Sequence, residues 1–195
     1  MGSMGCGRTA EERVVLDMTR ILGVDHATVH AGYAIFDGEQ FERIGAIDLT
    51  KSEDSPSYAL FRFTRHLIAD YGISVVALEK PMAMKNGKTA RMLIEAYTGA
   101  KLAAEHHGIE IVEVTPQLAK IYTAGHGQAE KEDVARALVA QFKLDIDVIA
   151  PAEYYKGGKR KGQLRARRFD PSDAAALCVA AWQIRKSEAI GAMAK

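Results

Sequence analysis

Two periods alternate along this chain, and their order predicts its elements. Residues 21–27 and 31–37 are apolar, β-rich runs with a short polar connection between them. Residues 40–49 follow Asp37-Gly38, a pair that favours a tight hairpin turn. Three successive strands with short connections predict an antiparallel meander. From 57 to 71 the period lengthens: Leu60, Phe61, Thr64, Leu67, Ile68 and Tyr71 share one helical face, and Gly72 stops the helix. The run ISVVALE at 73–79 is almost continuously apolar, as a strand covered on both faces must be. Residues 86–107 return to the helical period, with Met92, Leu93, Ala96, Tyr97, Ala100, Ala103 and Ala104 on one stripe and Gly108 at the end. Residues 109–115 alternate like a further strand. Helices at 116–122 and 130–142 flank the turn Gly125-His-Gly127, and an apolar helix beginning near Asp170 closes the pattern. The fold class predicted is α/β: a mixed five-stranded sheet, made of a three-strand antiparallel meander plus two further strands, with helices on both faces.

Composition narrows this picture. At 195 residues, 48% hydrophobic and 26% charged, the chain can bury a core without staples. Two cysteines, Cys6 and Cys178, suggest neither a disulfide framework nor a zinc site. No apolar stretch reaches the roughly 18–20 residues of a membrane span, and no secretory leader precedes the first strand, so a cytoplasmic protein is expected. Met1-Gly-Ser-Met4 reads as an expression scar, residues 1–18 as a disordered arm, and 19–190 as one domain. The net charge of +1 says little about partners, but its distribution says more. Lys156, Lys159, Arg160, Lys161, Arg165, Arg167 and Arg168 fall in one acid-free segment, with Tyr154 and Tyr155 at its front and Gly157, Gly158 and Gly162 within it. Such a loop, 154–168, suits a flexible arm on a phosphate backbone; a solvated surface loop is the ordinary alternative.

The acids raise the chemical question. Asp25 ends the first strand among apolar neighbours, and Glu79 ends ISVVALE in the same manner. A carboxylate at the end of a buried strand is costly unless paired or coordinated. In many mixed sheets of this order the first and fourth strands adjoin, which would set the two side by side. A hard divalent cation with oxygen ligands, Mg²⁺ or Mn²⁺, would relieve the repulsion. Asp170 and Asp173, three apart on a helix, could face the same site. They also fit ordinary helix-start chemistry, with Asp170 as N-cap, Pro171 at the first position and Asp173 facing the dipole. The two roles are compatible. Glu95 and Glu105 read as solvated, Asp145 and Asp147 as loop residues, His26 as an unpaired surface histidine in preference to a metal ligand or general base, and His106 and His107 as dipole partners at a helix end.

With those acids in order, the sequence resembles the RuvC family, Holliday-junction resolvases of the ribonuclease H-like superfamily. Ile21-Leu-Gly-Val-Asp25 is similar to the family's first acidic strand end, and Ala77-Leu-Glu79 to its second, with Lys85-Asn86 at the same offset beyond it. Thr115-Pro-Gln-Leu-Ala-Lys120 and Gly125-His-Gly-Gln-Ala-Glu-Lys131 resemble the two lysine-bearing segments, and Asp170-Pro-Ser-Asp-Ala-Ala-Ala-Leu resembles the helix with the last two acids. The resemblance implies a ribonuclease H-like sheet and a homodimer that nicks opposing strands of a four-way DNA junction by two-metal hydrolysis. Asp25, Glu79, Asp170 and Asp173 would hold two Mg²⁺ ions, with Mn²⁺ substituting, and Lys120 and Lys131 would stabilise charge at the scissile phosphate. Met82, Lys85, Asn86 and Lys88 would meet the DNA beside the basic loop. Ala96, Gly99, Ala100, Ala103 and Ala104 would either let two long helices approach across a dimer or pack on their own sheet. A branch-migration helicase is a further candidate partner.

The departures from the family pattern define the alternatives. His26-Ala27 replaces Pro-Gly after the first aspartate, Met82 stands where bacterial members carry a phenylalanine, and the 154–168 segment is an insertion. Together they point to a divergent branch, phage or viral, acting in the host cytoplasm in that case. A flap or fork nuclease of the same fold, and a non-catalytic branched-DNA binder, are the competing functions.

Overall fold

The structure is a computed structural model, and it describes residues 19–81 and 87–193. Five strands form one sheet in the order β3-β2-β1-β4-β5: β1 (Ile21–Asp25), β2 (His30–Phe36), β3 (Phe41–Asp48), β4 (Val75–Glu79) and β5 (Glu110–Val114). The first three strands pair antiparallel, as the short connections require, and β1–β4 and β4–β5 pair parallel. Parallel pairing needs a crossover, supplied by the helices α1 (Pro56–Tyr71) and α2 (Gly87–His106). Ser55 and Pro56 start α1, and Gly72, at φ 59°, stops it. The predicted mixed five-stranded sheet is the one observed.

Side chains alternate across β1 and sort the core into two layers. Leu22 and Val24 meet Val76 and Leu78 beneath α1 and α2. Ile21, Val75 and Ala77 face the other way, toward α3 (Pro116–Ala124), α4 (Lys131–Phe142), the short α5 (Ile146–Ile149) and α6 (Asp170–Met193). The central part of α6, from Ala174 to Trp182, is buried throughout, which explains its lack of charge. Leu177 and Val179 alone stabilise this layer by roughly 1.5–3 kcal/mol each. The helix reaches the sheet through glycines: a Cβ on Gly23 would lie 2.2 Å from the Ala174 carbonyl oxygen, and one on Gly32 only 1.8 Å from that of Asp170.

Several expectations change. The 154–168 segment is not a loose arm but a two-stranded hairpin, β6 (Ala152–Tyr154) with β7 (Leu164–Arg167). Asp147 is not a loop residue but lies within α5, and Asp145, in the loop before it, caps that helix by accepting from the Asp147 amide. The small-residue stripe on α2 is spent within the chain: Ala96, Ala100, Ala103 and Ala104 are fully buried, and Gly99 abuts the Ser57 backbone of α1. His26 is not on the surface. It continues the inward face of Leu22 and Val24, is 8% exposed, and meets the Tyr97 ring edge-on at 5.4 Å.

Candidate active site and nucleic-acid interface

Three elements deliver the four acids to one end of the sheet. The parallel register Val24↔Leu78 sets Asp25 and Glu79 at adjacent strand ends, both on the α6 side by alternation. Asp25 pairs across β1–β2 with Gly32, and the absence of a side chain there lets the Asp170 backbone lie directly on the strand. Asp173 follows one turn along α6. Lys131 opens α4, where a reciprocal capping box between Glu130 and Asp133 fixes the helix start. Lys120 lies on α3, whose own start is capped by Thr115.

The charges at this end are unbalanced. Burial pushes the Asp25 carboxyl well above the ordinary carboxylate range, and the Asp173 and Glu79 carboxylates push it further. Glu79 is raised by burial and by Asp173. Burial also raises Asp173, against the opposing pull of Lys131. Burial works against the charge of the Lys131 ammonium, but Asp173, Asp25 and Asp170 outweigh it and lift its pKa above the usual value. Two cations are already engaged: Lys131 donates a hydrogen bond to Asp173, and Arg168 donates to one oxygen of Asp170 from Nε at 3.0 Å and Nη2 at 2.8 Å. Among the described residues no three acidic or metal-binding side chains converge as a ready-made ligand cluster. The donor set is nonetheless all oxygen, and its raised carboxyl groups demand added positive charge, which fits a hard divalent cation. Ligation by all four requires Asp170 and Asp173 to share or release their present partners.

The basic residues fall into two groups. Lys156, Lys159, Arg160, Lys161 and Arg165 are exposed along the hairpin, with Arg160 stacked over the Tyr155 ring at 5.2 Å. Arg167 and Arg168 are turned inward. Arg167 donates to Asp147 and to the Ala150 carbonyl, both at 2.6 Å, and Arg168 holds Asp170 with Glu153 3.8 Å away. Lys88 is exposed in the first turn of α2, while Met82, Lys85 and Asn86 lie outside the described residues. The inward role of Arg168 was not anticipated; its only trace in the sequence is a basic residue two positions before an acid. His26 is a poor candidate base, since it is turned into the core and burial lowers its pKa to about 4, which weakens its hold on a proton.

A ribonuclease H-like sheet with acids at the ends of its first and fourth strands and on a terminal helix defines a class of nucleases acting on phosphodiesters. The family model described as crossover junction endodeoxyribonuclease RuvC matches residues 21–153. RuvC of Dehalococcoides mccartyi is 32% identical over 122 residues, which cover 59% of this chain and 73% of that protein. The solved structure of Thermus thermophilus RuvC with a Holliday junction substrate is similar at a TM-score of 0.68 and 18% identity, covering 87% of this chain and 96% of that one. The yeast mitochondrial Holliday junction resolvase is similar at a TM-score of 0.60 and 13% identity, covering 93% of this chain and 88% of that one. The chain belongs to the RuvC family: it is an endonuclease of the junction-resolving kind, from a family dependent on divalent metal. The family match ends at 153, so Asp170, Asp173 and nearly all of the hairpin lie beyond it. Among the described residues no helix is long and apolar enough to cross a membrane.

Proposed function

We propose that residues 19–190 form one nuclease domain that nicks four-way DNA junctions as a homodimer in the cytoplasm, with Asp25, Glu79, Asp170 and Asp173 holding two Mg²⁺ ions, or Mn²⁺ in their place. The observation that carries this reading is the pairing of Asp25 and Glu79 at adjacent ends of β1 and β4, with the first turn of α6 laid against the same end of the sheet. Bound divalent ions would activate a water and screen charge on the departing oxygen. The chain's own contribution is positional. Asp25 and Glu79 sit on rigid neighbouring strands, and the glycine contacts of α6 hold the backbone of Asp170 against the same strand ends. Lys131, lifted in pKa and therefore charged at any working pH, stands beside Asp173 where negative charge grows on the scissile phosphate; Lys120 supports it from α3. Attack of water on phosphorus with departure of the 3′-oxygen leaves 5′-phosphate and 3′-hydroxyl ends.

The DNA path joins the site to the hairpin. Lys156, Lys159, Arg160, Lys161 and Arg165 supply a sequence-independent phosphate track, and we assign Met82, Lys85, Asn86 and Lys88 to DNA contact as well. A junction has approximate two-fold symmetry, so a two-fold dimer places one site on each of two opposing strands. The surface we assign to that contact is the groove between α1 and α2. Tyr58, Ile94 and Leu102 are each about half exposed there, beside Thr98 and Phe61. A branch-migration helicase would be a transient partner.

The test is cleavage of an end-labelled synthetic four-way junction in Mg²⁺, beside a matched duplex and a 5′-flap, with Asp173→Asn as control. Paired symmetric nicks on the junction alone, lost in the variant, support the proposal. Cutting of the flap at a similar rate moves the protein to the broader branched-DNA nucleases. Tight junction binding without cutting in either metal makes it a binder.

A further inference from the structure

We infer that Arg168 is a positioning residue for Asp170, and that through it the β6–β7 hairpin is a structural part of the metal site. This rests on the proposal that Asp170 is a metal ligand. The contact is two-pronged on a single atom: Nε and Nη2 of Arg168 both reach Oδ2 of Asp170, at 3.0 and 2.8 Å, so that Oδ1 lies outside the pair. A guanidinium in that arrangement fixes the carboxylate's rotamer while its other oxygen stays available to a cation.

Arg168 is itself held. Its amide donates to the Pro151 carbonyl at 3.0 Å, its Nε lies 3.8 Å from Glu153 on β6, and its side chain is only 25% exposed. The preceding Arg167 closes the hairpin base onto α5 through Asp147 and Ala150. On the far side, the Phe169 carbonyl accepts from the Asp173 amide at 2.8 Å and from the Ser172 hydroxyl at 2.8 Å. The guanidinium therefore bridges two fixed bodies, the hairpin base and the first turn of α6. Among the described residues the hydrogen bonds to the Asp170 carboxylate come from Arg168, so losing the guanidinium frees that side chain to leave its present rotamer. The exposed cations of the same hairpin reach outward, so the element that would meet DNA also orders a carboxylate of the reaction centre.

Partners that orient a metal's ligands typically change metal affinity or activity by about 10- to 100-fold when removed. The experiment measures Mn²⁺ binding to the full chain without DNA, from loss of the free-ion electron paramagnetic resonance signal, for wild type, Arg168→Ala, Arg168→Lys, Asp170→Asn and the Arg168→Ala/Asp170→Asn pair. Junction cleavage is then titrated with Mn²⁺, and circular dichroism checks the fold. Expected results are a rise of at least 10-fold in the half-saturating Mn²⁺ concentration for Arg168→Ala and partial rescue by Arg168→Lys, which restores the charge but not the fork. Cleavage by Arg168→Ala should recover at high Mn²⁺, and Arg168→Ala should cause no further loss once Asp170 is Asn. Wild-type or tighter Mn²⁺ binding in Arg168→Ala overturns the inference, as does equal loss in both backgrounds. If Asp170→Asn itself binds Mn²⁺ like wild type, the assignment of Asp170 fails instead, whatever Arg168 does. Should Arg168→Ala not fold, the Arg168→Lys comparison and its Asp170→Asn double carry the same decision.

Discussion

Replacing Gly23 with alanine is the sharpest test of how packing reaches the chemistry. A Cβ at Gly23 would lie 2.2 Å from the Ala174 carbonyl oxygen and 2.8 Å from the Cys178 sulfur. Ordinary contact begins near 3.4 Å, so the strand and α6 must separate by about 1.2 Å at this point. The obstructing oxygen is backbone and cannot swing aside like a side chain. Gly23 lies in extended backbone within β1, so alanine brings no dihedral strain and the effect is one of space alone. Overpacking of this kind costs about 1–3 kcal/mol, or roughly 2–4 °C of Tm per kcal/mol for a chain of this size. Ala174 directly follows Asp173, so the displacement enters the site at the acid itself, where a shift of ~1 Å is worth about 10²-fold in rate. The assay pairs thermal denaturation with junction cleavage. Gly191→Ala is the control, since it lies in the same helix with nothing within 4 Å of its added carbon and should hold or raise stability. A Gly23→Ala protein with wild-type Tm and wild-type rate would refute the reasoning. A lowered Tm with full activity would leave the packing intact as an account but sever its link to catalysis.

Two further outcomes follow from burial and charge. Ile94→Asp and Leu102→Asp, at sites 52% and 49% exposed, should halve the sedimenting mass at unchanged Tm, whereas Ala100→Glu, fully buried, should lower stability by several kcal/mol. Lost stability at Ile94 with the dimer intact would sink the assigned contact. In EDTA, Asp25, Glu79 and Asp173 bind protons more tightly folded than unfolded, so their contribution is present at the acid end of the window. It is lost as pH rises from about 4 through their raised pKa values. Asp25→Asn should flatten that fall and exceed wild type in Tm at neutral pH without metal; identical slopes for the two proteins would count against a strained carboxyl cluster.

The five-stranded sheet was legible because each strand and helix buries a continuous face, and burial leaves a period in the sequence. The hairpin left no such trace. Its strands are mostly exposed, from Tyr154 to Leu164 and Arg165, and they are held by ladder hydrogen bonds and by the anchors of Arg167 and Arg168. A hydrophobic pattern cannot report an element that buries nothing. The α2 stripe was ambiguous for a different reason: small residues permit close approach without naming the partner, and only the Ser57 backbone against Gly99 decides between α1 and a second chain. His26 was misread although its signal was present. It continues the alternation of Leu22 and Val24, and that parity points it under α2 toward Tyr97.

The same distinction explains the acids of α6. Helix-start chemistry accounted for Asp170 and Asp173 by residue type alone, with Asp170 as the cap. The helix instead begins at Asp170, and the residue before it, Phe169, accepts the first helical hydrogen bond through its carbonyl, from the Asp173 amide. That shifts Pro171 to the second position, which its missing N–H tolerates equally well. The hydrogen bonds that reach the two carboxylates come from Arg168, in the connection before the helix, and from Lys131 on α4. A cap would have been satisfied by its own helix and left with little capacity for chemistry. These carboxylates are held by side chains that can yield or share, and both bear on Asp25, raising its pKa. Their placement one turn apart serves the site first and the helix second.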